Sequence, residues 1–203
     1  MGTDIHSIAQ VKRDGRWTTV AIGIDGDQRN YNTFAMLANV RNDYGFAGYR
    51  TSTGFPVIHE PRGLPEDLKT NEDNGFKYLD EEPMYLGDHS FSWCTLAELR
   101  RFIEDVAKKT EKHIVGVVDR ATYDLHKQTG QPYTDWWWGM KSGPTIVVEA
   151  APPGPRATHV QTSWPVTAAA ESSLCEIEAA LTLVAERAGV APEKIRFVYG
   201  FDS

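Results

Sequence analysis

The sequence predicts an α+β fold: a mixed or antiparallel sheet with about three helices and a long loop-rich insertion. Three observations predict it. Segments of strand periodicity stand next to one another at the start and in the middle, so the chain lacks the strict strand–helix alternation of a parallel sheet. Three stretches carry helical spacing together with start or stop signals. No repeat, low-complexity tract or linker divides the 203 residues, so residues 1–203 form one domain large enough to bury its own core.

Each element follows in order. Residues 4–11 alternate, with Ile5, Ser7, Ala9 and Val11 on a small apolar face and Asp4, His6 and Gln10 on the other. Arg13-Asp14-Gly15-Arg16 is a turn, and residues 17–24 return as the second strand of a hairpin, ended by Asp25-Gly26-Asp27. Asn30 or Asn32 caps a helix that runs to about Arg41, with Phe34, Leu37, Ala38 and Arg41 on its inner face. From Asn42 to Phe91 the pattern fails. Ten glycines and prolines interrupt this stretch, which reads as a lid, a binding loop or strands too short to show a period.

Regularity returns at Thr95-Leu96-Ala97-Glu98, a capping box that opens a helix to about Lys109 with Leu96, Leu99, Phe102, Ile103 and Val106 inward. Residues 113–118 are a buried strand and 123–127 a short helix. Residues 136–140 and 145–150 form a hairpin across Lys141-Ser142-Gly143-Pro144, and residues 158–164 add a strand. The last helix spans about 168–188, with Leu174, Ile177, Leu181 and Val184 in one stripe and Gly189 as its stop. Residues 194–201 close the fold as a strand.

Composition narrows the function. Lys and Arg number 21 against 28 Asp and Glu, a net charge of −7, which excludes a general binder of duplex nucleic acid. Cys94 and Cys175 stand in no metal-ligand spacing and read as reduced thiols. The opening residues MGTDIHSIAQ are unlike a secretory leader, and no apolar run reaches the roughly 20 residues of a membrane span. A cytoplasmic protein with no membrane partner is therefore expected. The chain has no Walker A loop, no dinucleotide-binding glycine fingerprint, no H-E-x-x-H and no nucleophile elbow.

Two Asp/His pairs carry candidate chemistry. Asp4 and His6 leave one face of a strand, and Asp88 and His89 precede the capped helix. Together they suit either a divalent ion or a histidine base oriented by a carboxylate. Ser90, Ser92 and the amides at the start of that helix form a candidate anion site, with Arg29, Asn30, Arg41 and Arg62 as further donors. Trp136-Trp137-Trp138 places adjacent indoles on alternate sides of a strand, so Trp137 is the candidate to stack a nucleobase.

Several segments together resemble a group of uncharacterised bacteriophage and prophage proteins: Met1-Gly2-Thr3-Asp4-Ile5-His6, Arg29-Asn30-Tyr31 running into Phe34 to Ala38, Val40-Arg41-Asn42, Gly45 to Gly48, Arg62 to Asp67, Asp88-His89-Ser90 with Ser92-Trp93, and Phe201-Asp202-Ser203. The chain departs from that group at Thr3, where a cysteine is frequent, and at Phe91, where a second histidine often follows. The resemblance implies a phage protein acting in a bacterial cytoplasm against host defence; it implies no activity.

Three functions fit, in this order. The first is sequestration of a nucleotide-derived small molecule, with phosphate on Arg29, Asn30, Arg41, Ser90 or Ser92 and a base on Trp137. The second is a phosphoesterase or nucleotide hydrolase using Asp4, His6, Asp88 and His89, with no cofactor unless a divalent metal. The third is a protein-binding inhibitor of a host defence protein. A homo-oligomer is compatible with all three.

Overall fold

In the computed structural model the described residues are 3–24, 30–42, 56–73, 75–80, 84–108, 113–131, 146–148 and 155–202. The N-terminal alternation folds as the expected hairpin, β1 (Asp4–Arg13) and β2 (Arg16–Ile22), turned through Asp14 and Gly15 at positive φ. After it come α1 (Tyr31–Ala38), the short strands β3 (Thr70–Asp73), β4 (Phe76–Leu79) and β5 (Tyr85–Gly87), then β6 (His89–Thr95) and α2 (Leu96–Lys108). β7 (His113–Asp119), α3 (Arg120–Thr129), β8 (Ile146–Val148) and β9 (His159–Pro165) follow. The chain closes with α4 (Val166–Ala188) and β10 (Ile195–Asp202). The fold is α+β, as predicted.

The central sheet is antiparallel in the order β2-β1-β10-β6. One face carries Ile5, Ala9, Val11, Cys94, Ile195, Phe197, Tyr199 and Phe201, which pack with Phe34 and Leu37 of α1, Leu96 and Leu99 of α2, and Leu174, Ile177 and Leu181 of α4. The other face carries Ile8 and Val198, covered by Leu79 and Leu86 of the second antiparallel sheet, β3-β4-β5. β10 is thus paired on both edges and covered on both faces, which is why both parities of this strand are buried. A third sheet, β7-β9-β8, packs Val118 and Val160 with Tyr123 of α3.

Local chemistry sets the helix starts. Thr95 and Glu98 exchange the predicted capping bonds: the Thr95 amide donates to Glu98 Oε2 at 2.8 Å and the Glu98 amide to Thr95 Oγ1 at 3.1 Å. Asp119 caps α3 through the Thr122 amide at 2.9 Å, adding a full helix where only a short one was expected.

One expectation is corrected, one choice is decided and one strand pairing is added. The first helix ends at Ala38, because Asn39 and Arg41 take positive φ (59° and 55°), so Arg41 lies beyond the helix and off its inner face. Of the readings open for Asn42 to Phe91, the described part bears out short strands: it contains β3, β4, β5 and the start of β6. Those strands have three or four residues, too few for a period, and Ser90 at φ 52° shifts the phase of β6. Residues 146–148 pair in parallel with β9, whereas the hairpin partner expected for them, 136–140, lies outside the described residues.

Candidate functional site

Register brings the chemistry together. The β1–β10 pairing sets Asp4 opposite Asp202 and His6 opposite Gly200, and the β10–β6 pairing sets Phe201 opposite His89. The backbones cross closely at this end: a Cβ on Gly87 would lie 2.3 Å from the Phe201 carbonyl oxygen, and one on Gly200 would lie 2.2 Å from that of Leu86. Only glycine allows this approach. It lets the Asp88 amide donate to the Phe201 carbonyl at 2.8 Å, fixing Asp88 beside the end of β10.

On the face toward the small sheet, Asp202 is the hub. His6 Nε2 lies 3.1 Å from Asp202 Oδ2, and the Asp4 amide donates to Asp202 Oδ1 at 3.1 Å. The Tyr85 ring meets the His6 ring edge-on, 4.4 Å between centroids, and its phenol also bonds Asp202. Burial pushes the Asp202 carboxyl up, but the His6 bond, the Asp4 amide and the Tyr85 phenol outweigh it and hold the group below the usual carboxylate range. Burial, together with the charges of Asp202 and Asp88, pushes the Tyr85 phenol upward, so it stays protonated and acts as a donor. His6 and Asp202 are each about one-quarter exposed, so the pair is supported from within and reachable from without.

The second pair is arranged differently. The His89 ring stacks on Phe201, 6.2 Å between centroids, while its Nδ1 meets Ser90 Oγ at 2.9 Å. His89 Nε2 stands 3.8 Å from Asp88 Oδ1, beyond hydrogen-bond reach. Asp88 Oδ1 is buried with no hydrogen-bond partner among the described residues.

Asp4, His6, Asp88 and His89 thus share one end of the central sheet. Asp4 and His6 face the same side as Asp202, whereas His89 leans on Phe201, a residue of the helix-side core. Sequence reasoning did not single out Asp202 or Tyr85. Asp202 shares parity with Arg196 and Val198 on the closing strand, which is the available signal; Tyr85 sits in a three-residue strand that offers none.

The expected anion site at the start of α2 is not formed. Glu98 itself occupies that helix end, and both its oxygens accept from Arg62, at 2.8 and 3.2 Å. Ser92 is fully buried and its Oγ accepts from the Arg62 amide, so it serves the core. Ser90 is bonded to His89, and Asn30 caps α1 by accepting from the Thr33 amide at 3.3 Å. Arg41 donates through Nε to Thr3 Oγ1 at 2.9 Å, one residue from Asp4. Arg29 and Trp137, with Trp136 and Trp138, lie outside the described residues. Among the described residues no group of three or more His, Cys, Asp or Glu side chains is arranged to hold a metal ion. Among the described residues no helix is long and apolar enough to cross a membrane.

No protein-family model, curated protein or solved structure matches this chain.

Proposed function

We propose that the chain hydrolyses a phosphate ester of a nucleotide-derived small molecule by general acid–base chemistry at the end of the central sheet, with His6 as the base. The observation that supports this reading is the His6–Asp202 hydrogen bond at 3.1 Å, made by a carboxylate that two further donors hold in place. With Nε2–H donated to Asp202, Nδ1 carries the lone pair that takes a proton from an attacking water. As the water oxygen bonds to phosphorus, the ester P–O bond breaks. The Asp202 charge stabilises the imidazolium, which returns the proton to the leaving oxygen, and the Tyr85 phenol keeps the carboxylate aimed. Arg41, held on Thr3 beside Asp4, lies at the same end of β1. The segments that carry the resemblance to phage proteins, around His6, Arg41, Asp88 and Asp202, meet here, which motivates a panel of nucleotide signals as substrates.

The purified protein is mixed with cyclic di- and trinucleotides, ADP-ribose derivatives and mononucleotides, filtered, heat-denatured, and both fractions are weighed by mass spectrometry. The expected result is a new product mass, with the rate lowered about 10²- to 10⁴-fold in His6→Ala and strongly lowered in the nearly isosteric Asp202→Asn. A compound retained by the protein and released intact by heat would replace hydrolysis with sequestration. A panel that passes through unchanged would remove the nucleotide reading and favour a protein partner.

A further inference from the structure

A second site lies on the opposite edge of the central sheet. The β1–β2 register steps by one residue between Ala9 and Gln10, so that Ala21 faces Ala9, Thr19 faces Gln10, and Val20 is left over as a bulge. Val20 is 51% exposed although it is a large apolar residue on a sheet that buries most of its others. Beside it, the last turns of α4 overhang the edge strand and leave a cavity of about 390 Å³. Its walls are Val11, Val20, Ala21, Val184 and Ala188, with Thr18 as a polar spot. Arg13 and Arg187 complete the lining, and among the described residues no acidic one takes part in it. Arg13 is positioned by donating to the Ala188 carbonyl at 3.0 Å, which also offsets the negative end of the α4 dipole.

The volume falls within the roughly 300–1,000 Å³ of small-molecule sites, and an apolar chamber with a few convergent polar groups is their usual composition. Arginine forks match a carboxylate in a bidentate manner. We infer that this cavity binds a small amphipathic carboxylate, an aliphatic chain lying against Val20 and Val184 with its head group on Arg13 and Arg187. The site is independent of the His6–Asp202 end of the molecule and does not rest on the activity proposed there.

The test titrates the full chain with hexanoate, octanoate, decanoate and decanol, below their micellar concentrations, by calorimetry and by amide chemical shifts. The inference predicts affinity that rises from hexanoate to decanoate, decanoate binding at least tenfold tighter than decanol, and shifts centred on 18–21 and 184–188. Arg187→Glu, on an exposed side chain, should remove the preference for decanoate and leave decanol binding intact. Equal binding of decanoate and decanol by the wild type, shifts elsewhere, an unchanged preference in Arg187→Glu, or no binding at all would each overturn it.

Discussion

Arg196 stands on the small-sheet face of β10, buried to 4% exposure between the rings of Trp17 and Trp93, with its guanidinium 4.4 and 5.7 Å from their centroids. Its charge is met by Asp67 at 2.9 and 3.1 Å, and two of its nitrogens share Gln10 Oε1. Arg196→Ala would strand the Gln10 carbonyl in the core and should cost about 3 kcal/mol or more in chemical denaturation. Asp67→Ala should cost about 1 kcal/mol or less, because that carboxylate is half exposed and its pairing is screened. Tyr199 offers a cleaner test. Its buried hydroxyl donates to the Leu37 carbonyl at 2.9 Å, so Tyr199→Phe should lose about 1–3 kcal/mol with no change of shape. The parity of Asp4 and His6 was readable in sequence at this scale. Their carboxylate partner was not, because 196 positions separate His6 from Asp202.

Capping and close approach decide the elements. The Thr95–Glu98 box was legible because both partners lie within one turn, and Thr95→Ala should cost about 1 kcal/mol. α2 is then tied to α4 by Arg100, which donates to Glu178 at 2.7 Å and to Thr182 at 2.7 Å. Neither contact is visible in the period of either helix. β5 and β6 escaped detection for a related reason. Gly87 reads as loop punctuation in the sequence and Gly200 falls inside the predicted closing strand, whereas in the fold they are where β5 crosses β10. Gly200→Ala would drive a Cβ to 2.2 Å from the Leu86 carbonyl oxygen, and neither backbone can yield without losing its sheet. The variant should lose about 3 kcal/mol and, by separating the strands that hold Asp88 and Asp202, should abolish any His6-dependent turnover as well.

Among the described residues, Asp67, Glu98, Asp119 and Asp202 are held below the usual carboxylate range; at Asp119 burial opposes this, and the Thr122 hydroxyl and amide outweigh it. At Asp67 the Arg196 hydrogen bonds lower the carboxyl. At Glu98 and Asp202 burial opposes the shift, and hydrogen bonds from Arg62 and His6, among others, overcome it. A depressed folded pKa adds stability that is fully present above the unfolded carboxylate value and is lost as pH falls through the folded one. Stability should therefore hold from pH 7 down to about 5 as far as these groups are concerned and fall below about pH 4, with part of that slope missing in Asp202→Asn; denaturation across pH measures it. Native-state hydrogen exchange should find β10 slowest, since it is paired on both edges and covered on both faces, and the largely exposed β3 faster. By itself the sequence determined the class of fold, the N-terminal hairpin, the capped α2, the apolar stripe of α4 and the closing strand. Each of these rests on contacts a few residues apart or on a period that one element displays alone. Tertiary structure decided the rest: the layer of short strands behind the sheet, the burial of Arg196, the pairing of Glu98 with Arg62, and the meeting of His6 with Tyr85 and Asp202. Those depend on which strands become neighbours, and that choice is made by burying two faces of one sheet at once, a condition no local window of sequence contains.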